Sequence, residues 1–118
     1  MAEEALKCNG RACFYSQLMP GLREVAFKCG YALGLHGSMN KDLDLIAAPW
    51  TEEAVYPERL IECLAAHCGG YVPQHGHSFV EGKWVPREMP GKKPHGRRAW
   101  TISFGGDVYL DISVMPMA

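Results

Sequence analysis

Tyr31-Ala32-Leu33-Gly34-Leu35-His36-Gly37-Ser38-Met39-Asn40-Lys41-Asp42-Leu43-Asp44-Leu45-Ile46 contains an apolar run, a Gly-Ser turn and a second run in which carboxylates alternate with leucines. The order reads as strand, tight turn, strand, with strands over 31–36 and 42–47 and Pro49 closing the second. Successive side chains of a strand point to opposite faces, so Asp42 and Asp44 fall on one face and Leu43 and Leu45 on the other. Two carboxylates held that close repel each other unless a cation or a basic side chain lies between them. Beside a glycine whose bare backbone admits a phosphate, they suit a divalent ion that carries a nucleotide.

Working outward, Phe14, Leu18, Leu22, Val25 and Cys29 recur at helical steps and predict a helix over 12–29. Pro20 either bends it or sits in the first turn of a restart, and Gly30 stops it. Pro57 marks the first turn of a second helix whose stripe is Leu60, Ile61, Leu64 and Cys68, ended by Gly69-Gly70. Residues 74–95 read as a long irregular segment rich in Pro, Gly and His, with a small hairpin over 79–85. Two runs, 98–104 and 108–115, flank Gly105-Gly106-Asp107 and form a hairpin. On the last strand Val108, Leu110, Ile112 and Val114 share one face, and Tyr109, Asp111, Ser113 and Met115 the other. The expectation is a single α+β domain over 1–118: a mixed or antiparallel sheet of about four to five strands with helices on one face. Its open face carries Asp42, Asp44 and Asp111, with His36 and Ser38 at the rim.

Composition excludes several classes. One domain of 118 residues has no room for a second core. No apolar run reaches the roughly 18 residues that cross a bilayer. The acidic start Met1-Ala2-Glu3-Glu4 is unlike a signal peptide, so a cytoplasmic protein is expected. A net charge of -1 argues against a duplex-DNA binder. Five cysteines without a secretion signal argue against a disulfide framework. Cys63, His67, His75 and His77 raise the question of zinc, but no Cys-x-x-Cys pair exists, so reduced structural thiols and no zinc are expected.

Positive charge concentrates in Lys92-Lys93-Pro94-His95-Gly96-Arg97-Arg98, which runs straight into the strand that pairs with the Asp111 strand. Cations arriving beside carboxylates are what a triphosphate needs; the alternative is a solvated basic loop. Trp50 and Trp84 are candidates for stacking on a base, whereas Trp100, inside a strand, fits core packing better.

Gly37-Ser38, then Asp42-x-Asp44, then Asp111 on a later strand resembles the nucleotidyltransferase superfamily of the polymerase-beta type. The stretch from His36 to Trp50 is also similar to small proteins of phages and prophages. The resemblance implies that Asp42, Asp44 and Asp111 are catalytic and hold magnesium or manganese, two ions being possible. It implies a nucleoside triphosphate as ligand, with Gly37 and Ser38 cradling phosphate and Lys41, Lys93, His95 and Arg97 assisting. The superfamily usually places about ten residues between the serine and the first aspartate, in a helix whose N–H groups face the phosphates. Only Met39, Asn40 and Lys41 stand there here, so the turn itself would supply the N–H groups. The reading is therefore a magnesium-dependent nucleotidyltransferase or nucleotide-binding domain. The alternative is a catalytically silent domain that binds a protein partner such as a host factor or toxin.

Overall fold

The computed structural model describes residues 10–37, 39 and 42–117. Helix α1 (Gly10–Lys28) runs without a break through Pro20. Pro20 and Ser16 are both exposed, so water can reach the carbonyl that the proline leaves without a backbone donor. Its buried line is Tyr15, Met19, Leu22 and Ala26, about one position round from the stripe read in the sequence. Phe14 instead packs at the rim, edge-on to Phe104 at 5.3 Å. Strand β1 (Tyr31–His36) and strand β2 (Leu43–Pro49) follow, paired antiparallel with His36 opposite Asp44.

Helix α2 (Pro57–Cys68) has its proline in the first turn, buries Leu60, Ile61, Leu64 and Ala65, and ends where the Gly69 N–H donates to the Ala65 carbonyl. The segment expected to be irregular contains a longer hairpin than the sequence suggested, β3 (Gly76–Val80) and β4 (Lys83–Arg87), turning at Glu81-Gly82. A short strand β5 (Gly91–Lys92) then leads to β6 (Arg98–Ser103) and β7 (Tyr109–Val114).

The main sheet is mixed, in the order β1-β2-β7-β6-β5, with β2 and β7 parallel and the other pairs antiparallel; β3 and β4 form a separate sheet. Leu43, Leu45 and Ala47 of β2, Leu110, Ile112 and Val114 of β7, and Trp100 and Ile102 of β6 form one core with the buried faces of α1 and α2. Both helices therefore cover one face, as the alternation requires. On the other face stand Asp44, Thr101, Asp111 and Ser113, and the β3–β4 hairpin leans over its β6–β7 half through a hydrogen bond from Arg87 to Thr101. No helix among the described residues is long and apolar enough to cross a membrane.

The cysteines divide. Cys29, Cys63 and Cys68 are free thiols, and burial pushes Cys29 and Cys68 above the usual thiol range. Cys13 is disulfide-bonded, which departs from the reduced state expected of it.

Candidate metal and nucleotide site

Asp44 and Asp111 face each other across the parallel β2–β7 pair, and Asp42 immediately precedes β2 on the same side. One carboxylate oxygen from each can be chosen so that all three lie within 4.8 Å of one another. Among the described residues this is the group of potential ligands that converges. The residues weighed for zinc part company: His67 packs its ring against Gly21, Cys63 neighbours Cys29, and His75 and His77 line a cleft on the open face.

The electrostatic cost of this convergence shows in the titration of the carboxyls. Burial, hydrogen bonding with Asp42 and the charges of Asp42 and Asp111 push Asp44 up to about 7, against a smaller downward pull from Lys93. Asp111 is also raised, chiefly by burial and by Asp42, while the Thr101 hydroxyl and Arg87 oppose the shift. Tyr109 beside them is pushed up to about 12 by burial and by the three carboxylates. Burial and mutual repulsion together hold these groups toward their neutral forms.

Gly37 lies directly over the cluster. Its φ of +83° favours glycine, and a Cβ there would stand 2.9 Å from Asp44 Oδ2. Gly37→Ala is therefore expected to displace the Asp44 carboxylate and to cost about 1–2 kcal/mol through backbone strain and contact. Thermal melting would check this; an unchanged melting temperature would show that the turn does not constrain Asp44.

Arg87 is a site residue that the sequence reading did not single out. Its Nη2 donates to Thr101 Oγ1 at 3.4 Å and lies 4.0 Å from Asp111 Oδ1. Thr101 Oγ1 in turn donates to Asp111 Oδ1 at 2.9 Å. The arginine fits because Gly76 and Gly91 leave room: a Cβ would come within 2.7 Å of Arg87 Nε at Gly76 and within 2.8 Å of Nη1 at Gly91. Its Nε is buried without a hydrogen-bond partner. The two glycines on either side of this arginine were the available signal, but they become neighbours only when the hairpin folds back.

The basic loop splits at adjacent residues. Lys93 and Arg97 line a cavity of about 200 Å³ together with His36, Asp44, Arg87 and Asp111. Arg97 donates to Ser113 Oγ at 3.2 Å and to the Pro94 carbonyl at 3.1 Å, which holds it beside the carboxylate face. Arg98 goes to the helix side, where it meets Glu58 at 3.0 Å and stacks over Trp100 at 5.2 Å. Trp100 is core, 5% exposed. His95 is exposed in the 3₁₀ turn Pro94–Gly96 and Lys92 is exposed on β5, so neither joins the lining of this cavity. Ser38 and Lys41 lie outside the described residues. Trp50 stacks on Phe27 at 5.1 Å, beyond the far end of β2 from Asp42.

No protein-family model matches this chain, and no curated protein matches it.

Proposed function

We propose that this chain is a magnesium- or manganese-dependent nucleotide-binding domain of nucleotidyltransferase type, with Asp42, Asp44 and Asp111 as its centre. The convergence of these carboxylates within 4.8 Å, from two neighbouring strands and the turn before them, carries the reading. The donor set fits such an ion: the ligands are hard oxygens, and Asp44 is pushed up to about 7 by burial and, after it, by hydrogen bonding with Asp42 and the charges of Asp42 and Asp111. A bound divalent ion would neutralise those charges and polarise phosphate oxygens.

The chain's own residues supply the rest. Lys93 and Arg97, in the cavity beside Asp44, would orient the phosphates of the nucleotide. Asp111, held by the Thr101 hydroxyl, would align an acceptor hydroxyl and take its proton. In the transfer, the acceptor oxygen forms a bond to the α-phosphorus, the bond from that phosphorus to the pyrophosphate oxygen breaks, and pyrophosphate leaves. Arg87, near Asp111, would favour the ionised form of that carboxylate against the upward push of burial and Asp42.

Calorimetry with ATP and GTP tests the reading. Affinity is expected to rise steeply with magnesium, since without it the carboxylates would repel the phosphates. Arg97→Ala should weaken binding by about 1–3 kcal/mol if its contact is charge-assisted. Absence of heat in both conditions, with folded protein, would turn the reading to the silent partner-binding domain. That alternative draws on Phe27 and Trp50, which are 62% and 56% exposed in one stacked pair.

A further inference from the structure

A second cavity, of about 450 Å³, lies between the β3–β4 hairpin and the open face of β6 and β7. It meets the smaller one at Arg87 and Asp111, which line both. The two differ in charge. The smaller holds three cations, Arg87, Lys93 and Arg97, against Asp44 and Asp111. The larger holds Arg87 against Asp107 and Asp111, and Asp107 is already paired with Arg11 at 3.6 Å. A phosphate is therefore better accommodated by the smaller cavity than by the larger, which suits an uncharged ligand.

The walls of the larger cavity narrow the chemistry. Tyr71 is fastened to the end of β6 by reciprocal backbone hydrogen bonds with Ser103, of 2.9 and 2.7 Å. Trp84 comes from β4 on the hairpin. Both rings line the cavity, yet they remain 58% and 67% exposed, leaving aromatic surface open to a flat ring. The floor is polar, with the Thr101 hydroxyl and the Asp111 carboxylate in mutual contact. A ligand with a flat part and a hydroxyl-bearing part matches both regions, and the volume falls within the roughly 300–1,000 Å³ of small-molecule pockets.

We propose that this cleft binds a nucleoside unit, its base stacked on Trp84 and Tyr71 and its ribose hydroxyls directed to Thr101 and Asp111. The unit is either a free nucleoside or the 3′-terminal residue of an oligonucleotide. The inference deepens the proposed function, on which it rests for the ligand's role as acceptor; binding itself depends on the cleft alone.

The test is titration of the full chain, in EDTA, with adenosine, guanosine, cytidine and uridine, and separately with a short single-stranded oligonucleotide bearing a free 3′-hydroxyl, followed by calorimetry or NMR. At least one nucleoside or the oligonucleotide should bind, and which of the two does identifies the source. Trp84→Ala and Tyr71→Ala should each weaken binding roughly tenfold or more, while Trp50→Ala, at the remote stacked pair, should leave it unchanged. Both cleft side chains are largely exposed, and matching melting temperatures would confirm that the variants fold. No binding by either ligand class, or binding indifferent to both cleft substitutions, overturns the inference. The readings fail separately: magnesium-dependent ATP binding without nucleoside binding sinks this proposal alone. Nucleoside binding without magnesium-dependent ATP binding sinks the transferase reading but sustains the cleft.

Discussion

Metal-free protein carrying Asp44→Asn should melt higher than the wild type at pH 8, and close to it at about pH 4. The Asp44 carboxyl, ordinarily near 3.8, keeps its proton up to about 7 in the folded chain because of burial, Asp42 and the Asp111 charge. Between those values the folded state binds more protons than the unfolded one, so stability falls as pH rises through the window. Above it the penalty is fully present. Asparagine has no charge to desolvate or repel and removes that penalty. Because Asp44 is partly exposed, solvent screening reduces the gain, which should be about 1–2 kcal/mol, or several degrees. Magnesium should reverse the order at pH 8, raising the wild-type melting temperature while leaving the variant nearly unmoved. Melts at both pH values, with and without magnesium, would measure this. A variant less stable than wild type in metal-free buffer at pH 8 would mean that Asp44 holds structure instead.

One residue further along the same strand the effect should be of opposite sign. Leu45 is fully buried in the core beneath α1 and α2. Leu45→Ala should cost about 2–5 kcal/mol, from lost apolar burial and from the cavity left behind. Leu45→Met, which nearly conserves volume, should cost less than about 1.5 kcal/mol. Neither loss should depend on magnesium, since the side chain points away from the carboxylates. Urea denaturation should show a lower midpoint with an unchanged slope. A small loss for Leu45→Ala would contradict the assignment of core and open faces to β2.

Much of this division was readable before the fold was known. Period-two alternation in β2 and β7 assigned Leu43, Leu45, Leu110 and Ile112 to one face and Asp44 and Asp111 to the other, because strand geometry leaves a residue no third choice. The helices were legible from the recurrence of apolar residues, although α1 turned its buried line by about one position. That difference is small in sequence but decisive for Phe14, since each helical residue advances the buried face by about 100°. Arg97 and Arg98 lay within reach of the same alternation, yet a run of basic residues suggested one shared destination.

Local pattern thus determined the element types, the α+β class and the grouping of the aspartates on one face, since those depend on residues close in the chain. Tertiary structure alone decided that β2 lies beside β7 in parallel, which brings Asp44 opposite Asp111. It also folded the β3–β4 hairpin over the sheet, setting Arg87 between Gly76 and Gly91 and above Asp111. The physical reason is that strand order and hairpin docking arise from contacts between segments far apart in sequence. The sign alternation of a strand says which way a side chain points, but not what it will meet there.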